Sequence, residues 1–151
     1  MNTWFEDLEV GRIERFGHYA VTEQEVLDFA RRYDPQPFHL DAAAAAANPI
    51  FGRISASGWH TASMAMAMTV AHWRAIGFAS LGSPGVEELA WLKPVYPGDT
   101  LRVEAEMISL KLPSSLPDLG FAKVRTIVFN QDDVAVMRQV ASIMVGRRPQ
   151  G

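Results

Sequence analysis

The chain has 151 residues, of which 48% are hydrophobic and 21% are charged, and this composition excludes wholesale disorder. Its 14 basic and 17 acidic residues give a net charge of −3, which argues against a nucleic-acid partner or an anionic membrane surface, because neutralising phosphates requires a basic face. Cysteine is absent, which excludes disulfides and thiol-based sites and fits a reducing, cytoplasmic location, and the length predicts one domain over residues 1–151.

The first elements predicted along the chain are a strand and a helix. Residues Ile13–Val21 favour a strand. Thr22 is suited to cap the helix that follows, and Glu25, three residues later, completes the capping-box pattern. Proline disfavours the helical conformation in the residue before it, so we expect the helix to end at Asp34, which precedes Pro35.

A proline-containing loop over Asp34–His39 is predicted to lead into a second, shorter helix. Asp41 is suited to cap that helix, and the run Ala42–Ala47 forms it because alanine has the highest helix propensity. An irregular loop is predicted over Pro49–Ser57. These short elements lead into the most apolar part of the chain.

The main helix is predicted from Gly58 to about Ile76, with Gly77 as its terminator. Its residues are apolar on almost every side, which is typical of a helix buried inside a fold. Its continuous apolar part is only about a dozen residues long, whereas a membrane span needs roughly 20. We therefore interpret it as a buried helix.

The second half of the chain is predicted to form mainly β-strands. Apolar and charged residues alternate through Leu101–Met107, which is the period of a half-buried strand. Phe121–Phe129 and Val134–Val145 are predicted to form a hairpin, and Leu112–Gly120 a longer loop. Ser83-Pro84-Gly85 is interpreted as a turn. Helices followed by strands predict an α+β fold, with an antiparallel sheet curved round the main helix.

The segment Tyr33–Asp41 carries the residues most suited to chemistry. It places Asp34 and His39 five residues apart, in a stretch stiffened by Pro35 and Pro37. A carboxylate and an imidazole that are held in place suit general acid–base catalysis. The spacing alone fits equally well a turn-forming Asp34 and a His39 that makes an ordinary polar contact.

The start of the main helix is a second candidate site. Ser57 is a good N-cap residue, and Gly58 leaves backbone N–H groups accessible. The first N–H groups of a helix lack intrahelical partners and carry partial positive charge, so they suit an oxygen that gains negative charge, such as a thioester carbonyl. Ordinary helix capping explains the same two residues.

The two segments together resemble the MaoC-like dehydratases, which are close to the (R)-specific enoyl-CoA hydratases. The resemblance covers roughly Val21 to Val145 and rests on Asp34–Asp41, the alanine-rich helix, Gly52-Arg53, Ser57-Gly58, Lys93-Pro94-Val95 and Pro97-Gly98-Asp99. It implies a hot-dog fold, an α+β architecture in which an antiparallel sheet wraps round one long helix. It also implies a homodimer or a larger homo-oligomer, with acyl-CoA bound where protomers or repeats meet.

The resemblance further implies a hydratase or dehydratase, which adds water to a trans-2-enoyl thioester or removes it from a 3-hydroxyacyl thioester. Asp34 and His39 match the catalytic pair of the family, which holds a water, takes its proton as it attacks C3 and returns a proton to C2. Gly58 matches the glycine whose N–H binds the thioester oxygen. The sequence does not decide which member of the pair is the base, because coupled groups share their titration.

Other residues near these motifs complete the expected substrate pocket. In addition to Gly58, we assign to it Ser57, Trp59 and Arg53, the last also as a candidate partner for a CoA phosphate. The hydratase branch commonly has His where this chain has Ser57, and a serine of the hydratases aligns with Met66. These departures predict a pocket of different polarity, in which Ser63 is a candidate substitute for the serine.

We expect no metal site, because no metal-ligand spacing is present. We also expect no cofactor, since the CoA thioester is the substrate. His60 and His72, on the main helix, are predicted to be satisfied core residues.

Two alternative functions stay open. One is a hot-dog thioesterase, which would direct water at C1. The other is a non-catalytic subunit that binds acyl thioesters, which the departures at Ser57 and Met66 would fit.

Overall fold

A computed structural model describes all 151 residues of the chain. After a 3-10 turn at Phe5–Asp7, the elements are β1 (Ile13–Ala20), α1 (Glu23–Tyr33), α2 (Pro37–Leu40), α3 (Ala42–Ala47), α4 (Gly58–Ile76), β2 (Ser80–Trp91), β3 (Thr100–Lys111), β4 (Leu119–Phe129) and β5 (Ala135–Gly146). Four of the five strands follow the helices, which confirms the predicted α+β class.

The five strands form one sheet in the order β1-β3-β4-β5-β2, and every neighbouring pair is antiparallel. The predicted hairpin is confirmed, since β4 and β5 are adjacent and pair along their length. Alternate residues of β3, such as Leu101 and Val103, are fully buried and face the core. The alternation predicted for β3 therefore sets its buried face.

The core lies between the sheet and α4. It joins Met64, Ala65 and Met68 of the helix to Leu101, Val103, Val128, Val136 and Met137 of the strands. This is the hot-dog arrangement, an antiparallel sheet wrapped round one long helix. None of the helices is long and apolar enough to cross a membrane.

The bounds of α4 are as predicted, but its burial is not. Gly77 ends the helix in the left-handed conformation, at φ 63°. Met64 and Met68 are buried, whereas Trp59 and Met66 are exposed. The sheet of one chain covers only one side of the helix, so the apolar residues on the other side remain uncovered.

The local signals of the helical region are mostly confirmed. Asp41 caps α3 by accepting the N–H of Ala44 at 2.8 Å. Thr22 caps α1 by accepting the N–H of Glu25 at 3.3 Å. The capping box is incomplete, because the Glu25 carboxylate accepts the hydroxyl of Tyr19 at 2.6 Å instead of reaching back to Thr22.

The prediction of a turn at Ser83-Pro84-Gly85 is wrong, because these residues lie inside β2. β2 is an edge strand, and only β5 pairs with it. Its register shifts between Ser80 and Gly82, between Gly82 and Gly85, and between Glu87 and Ala90. An edge strand with such irregularities tolerates proline, because one side of its backbone needs no partner.

Candidate active site

His39 is positioned by the one-turn helix α2, where the sequence had predicted a loop. Pro37 begins this helix, and proline suits the first helical position because the N–H it lacks would have had no partner. His39 is only 4% exposed, and its Nδ1 lies 2.7 Å from the carbonyl oxygen of Ser55. Because a carbonyl can only accept, Nδ1 donates, and Nε2 is the nitrogen free to take up or release a proton.

Asp34 lies at the end of α1 and carries its carboxylate to that nitrogen. Its N–H donates to the carbonyl of Ala30 at 3.0 Å, which closes the last turn of the helix. Oδ1 accepts the side-chain amide of Gln36 at 2.7 Å. Oδ2 lies 3.3 Å from Nε2 of His39. The structure therefore brings together the two residues that the sequence predicted to be a pair.

The surroundings of Asp34 favour its carboxylate form. Burial raises the pKa of Asp34, but the Ser57 hydroxyl, the Gln36 amide and the positive charge on protonated His39 together outweigh burial and lower the pKa below its ordinary value. The carboxylate is therefore ionised at neutral pH. Oδ2 of Asp34 and Nε2 of His39 therefore lie side by side, and each is an atom that can accept a proton.

The first amides of α4 follow directly after the residues that contact this pair. Ser55 holds His39, Ser57 lies beside Asp34, and α4 begins at Gly58. The N–H of Thr61 is the first in the helix to find a partner, the carbonyl of Ser57 at 3.0 Å. The three preceding N–H groups, of residues 58–60, have no acceptor within the chain and can bind an oxygen.

Packing explains why residue 58 is glycine. A Cβ at Gly58 would lie 2.5 Å from Cε2 of Trp91. The Trp91 ring therefore rests against the helix start, and it meets the ring of Trp59 edge-on at 4.9 Å. Glycine was expected here to let a ligand approach the backbone, and the structure adds that an indole already occupies the side-chain space.

The structure does not join Trp59 and Arg53 to the pair by any hydrogen bond or ring contact. Trp59 is 57% exposed beside Trp91. The guanidinium of Arg53 lies 3.9 Å from the centre of the Tyr96 ring, and it makes no salt bridge. Both residues lie at the surface near the start of α4, where a substrate could meet them.

The residue aligned with the hydratase serine lies elsewhere on the helix. Met66 is eight residues beyond Gly58, about 12 Å along the helix axis. It lines a cavity of about 1220 Å³ between α4 and the sheet. Ser63 lines a different groove, of about 390 Å³, between α1 and α4, and its hydroxyl donates to the carbonyl of Trp59. No hydrogen bond joins Ser63 to Asp34 or His39, and its role as a substitute for the serine stays a prediction.

The two histidines of α4 each fit the prediction of satisfied core residues only in part. His60 is buried and stacks on Phe29 at 4.7 Å, but its Nδ1 has no partner. Burial lowers the pKa of His60, although the charge of Glu25 opposes this effect. His72 is half-buried, stacks on Phe16 and pairs with Glu14 through Nε2.

Sequence reasoning missed four residues that shape the site. They are Gln36, Ser55, Trp91 and Tyr96. Gln36 could have been found from its place between the two prolines, two residues after Asp34. Ser55 lies two residues before Ser57, where no pattern distinguishes it, and Trp91 and Tyr96 come from a more distant part of the chain.

Solved structures of similar proteins match nearly the whole chain. A MaoC-like dehydratase from Rhodospirillum rubrum is 34% identical, with a TM-score of 0.87 over 99% of this chain and 100% of that one. The R-hydratase PhaJ1 from Pseudomonas aeruginosa is 30% identical, with a TM-score of 0.75 over 97% of this chain and 88% of that one.

A third relative is matched over part of its length only. Mesaconyl-CoA hydratase from Cereibacter sphaeroides is 42% identical over 73 residues, which are 48% of this chain and 21% of that protein. The model of the MaoC like domain matches residues 10–112, which is more than half of the chain. The chain therefore belongs to the family of MaoC-like domains, as its motifs indicated.

Proposed function

We propose that the protein is a hydro-lyase that adds water to a trans-2-enoyl thioester, or removes it from a 3-hydroxyacyl thioester, through Asp34 and His39. The observation that carries the proposal is the pair itself, Oδ2 and Nε2 at 3.3 Å with Nδ1 committed to a carbonyl. Membership in a family that includes hydratases supports the same reaction class.

The two side-by-side acceptors suit the activation of a water molecule. A water can donate one O–H to Oδ2 of Asp34 and the other to Nε2 of His39. As its oxygen forms a bond to C3, the pair takes one of its protons, and the π electrons of the C2–C3 double bond move toward the thioester oxygen. The pair then returns a proton to C2, and dehydration runs through the same steps in reverse.

The start of α4 can bind the thioester oxygen, which lies at the opposite end of the conjugated system from C3. Negative charge develops on the thioester oxygen between the two proton transfers. The unpartnered N–H groups of residues 58–60, at the positive end of the α4 dipole, can bind that oxygen. The steps transfer only protons and water, so the proposed reaction needs no redox cofactor.

The exposed residues near the helix start fit the carrier portion of such a substrate. The guanidinium of Arg53 forms no salt bridge with a carboxylate, so it can bind a phosphate of CoA in the proposed complex. Trp59 offers an apolar surface beside the amides. We infer an acyl-CoA or a similar thioester as substrate.

The test is a hydration assay on a panel of trans-2-enoyl-CoA thioesters. We expect Asp34→Asn and His39→Ala each to lower the rate by about 10²–10⁴, the range for loss of a general acid–base group. Asp28→Asn and His18→Ala are matched controls, because both residues are exposed and lie outside the site. If the two site variants were as active as the parent, the mechanism would be wrong.

Two other outcomes would replace the proposal. Release of free CoA, detected with a thiol reagent, would identify a thioesterase, and the proposed reaction predicts none. Tight binding of thioesters without turnover of any of them would identify a non-catalytic binding subunit.

A further inference from the structure

The guanidinium of Arg53 lies closer to an aromatic ring than that of any other arginine in the chain. Its central carbon is 3.9 Å from the centre of the Tyr96 ring. Arg102 lies over an aromatic ring in a similar way, at 4.4 Å, but its N–H groups donate to two carboxylates. The exposed side chain of Arg53 forms no hydrogen bond or salt bridge within the chain, so its N–H donors are open to a ligand.

The aromatic ring of this pair, Tyr96, is held at both ends. Its hydroxyl donates to the carbonyl of Phe51 at 2.6 Å, and its backbone N–H donates to Oδ2 of Asp99 at 2.9 Å. Asp99 is buried, and its other oxygen accepts the side-chain amide of Gln131 at 3.0 Å. The segment Lys93–Asp99, which carries part of the family resemblance but no step of the proposed reaction, therefore fixes the position of this ring.

A short loop joins Arg53 to the candidate active site. Arg53 lies two residues after Phe51, whose carbonyl accepts the Tyr96 hydroxyl. It lies two residues before Ser55, whose carbonyl accepts the Nδ1–H of His39. Two residues of extended chain span at most about 7 Å, so the backbone of Arg53 lies within about that distance of Ser55. The exposed guanidinium therefore belongs to the same loop that holds His39.

Stacking on an aromatic ring suits a guanidinium that binds phosphate. The face of the guanidinium contacts the ring, whereas its N–H donors lie along the edge and match the oxygens of a phosphate. The ring also restricts a long and flexible side chain before any ligand arrives, which lowers the entropy cost of binding. In a thioester substrate of the proposed reaction, such a phosphate lies at the end of the pantetheine arm.

We propose that Tyr96 is a positioning residue that determines the affinity for the carrier, because its ring presents Arg53 as a preformed site for a phosphate of a pantetheine-linked thioester. The phosphate belongs either to the nucleotide of CoA or to the phosphopantetheine that CoA shares with acyl-carrier proteins, and the experiment distinguishes these sources. The inference rests on the proposed function, because that function supplies the thioester.

The first experiment measures binding without turnover, by calorimetry with CoA, phosphopantetheine and pantetheine as probes. We expect Arg53→Gln to weaken the binding of CoA about ten- to a hundredfold, the effect of losing hydrogen bonds to a charged group. Pantetheine has no phosphate, so its binding should change far less. Arg102→Gln is the matched control, because it also removes a guanidinium over a ring, but one whose donors already bind carboxylates.

The phosphopantetheine probe identifies the source of the phosphate. A loss in Arg53→Gln as large for phosphopantetheine as for CoA would assign the phosphate next to pantetheine. A loss for CoA alone would assign a phosphate of the nucleotide. Either result supports the site.

The second experiment tests the ring. Tyr96→Leu should weaken CoA binding about two- to tenfold, within the range of a cation–π contact, whereas Tyr96→Phe keeps the ring and should bind CoA nearly as tightly as the parent. Tyr96→Met, which also lacks a ring, repeats the test if Tyr96→Leu does not fold. In the Arg53→Gln background, Tyr96→Leu should weaken CoA binding no further.

A merely structural role of Tyr96 would not distinguish substrates by their phosphates. In the hydration assay, Tyr96→Leu should therefore raise KM for an enoyl-CoA several-fold more than KM for the corresponding N-acetylcysteamine thioester, which has no phosphate.

The outcomes separate this inference from the proposed function. Equal losses for CoA and pantetheine in Arg53→Gln would overturn the phosphate site, and so would unchanged CoA binding or a parent that does not bind CoA. A loss in Tyr96→Phe as large as in Tyr96→Leu would overturn the role of the ring. If CoA binding responds as expected but the parent hydrates no enoyl thioester, the phosphate site stands and the hydratase reaction is wrong.

Discussion

At His39 and at Tyr19, a single hydrogen bond determines which atom holds the proton. The carbonyl of Ser55 selects the nitrogen of His39 that can exchange a proton. The Glu25 carboxylate likewise keeps the proton on the phenol oxygen of Tyr19, whose hydroxyl it accepts at 2.6 Å. In both cases a neighbour that can only accept keeps the proton on a particular atom.

The bond at Tyr19 leads to a measurable titration. The hydrogen bond to Glu25, with a smaller contribution from burial, raises the pKa of Tyr19 to about 12. Ultraviolet absorbance of the folded protein should therefore show a tyrosinate step near pH 12 that disappears in Tyr19→Phe. Tyr33→Phe should retain the step. If the step persists without Tyr19, the assignment is wrong.

The raised pKa of Tyr19 also makes the free energy of unfolding depend on pH. The folded state favours the protonated phenol, so the stabilisation is fully present below the ordinary tyrosine pKa of about 10 and is lost as pH rises through about 12. Tyr19→Phe lacks this stabilisation, so the parent should exceed it in free energy of unfolding below about pH 10, and the difference should shrink as the pH rises through about 12. Urea unfolding at several pH values measures this difference.

At the scale of the elements, the start of α4 depends on a contact with the end of β2. The ring of Trp91 fills the space where a side chain at residue 58 would lie. Gly58→Ala should therefore destabilise the protein by about 1–3 kcal/mol, the usual effect of overpacking. Denaturant unfolding measures this effect.

A double-mutant cycle tests the cause. Trp91→Leu makes room beside the helix start, so Gly58→Ala should cost less in that background than in the parent. An equal cost in both backgrounds would show that the ring is not what excludes a side chain there.

The elements also show where sequence patterns succeed. The bounds of α3 and the start of α4 were predicted to the residue and the end of α4 approximately, because alanine propensity, an aspartate cap and a left-handed glycine act locally. α2 and β2 were missed. A single turn carries too few residues for a helical period, and Ser83-Pro84-Gly85 gives the same signal in a turn as in an irregular edge strand.

At the scale of the whole molecule, one chain leaves apolar surface uncovered. Leu81 and Val86 of the edge strand β2 are exposed, and so is Met66 of α4. The cavity of about 1220 Å³ lies between these elements. An unpaired sheet edge next to an apolar surface favours association with another chain, so we expect a homodimer or a larger assembly.

Light scattering coupled to size exclusion tests this expectation. The parent should elute as an assembly, and Val86→Lys should shift it toward the mass of one chain. Val134→Lys is the control, because Val134 is also exposed but lies in the connection between β4 and β5. A monomeric parent would contradict the prediction.

The amino-acid order alone was enough to predict the antiparallel hairpin and the long helix, because both depend on preferences that act over a few residues, such as alternation and capping. The pairing of Asp34 with His39 was predicted from the resemblance of their segment to a known family, since their spacing alone fits other roles equally well. The tautomer of His39 and the ring against Gly58 were decided only by the tertiary structure. They arise where packing brings together residues distant in the chain, and such contacts leave no periodic trace in the sequence.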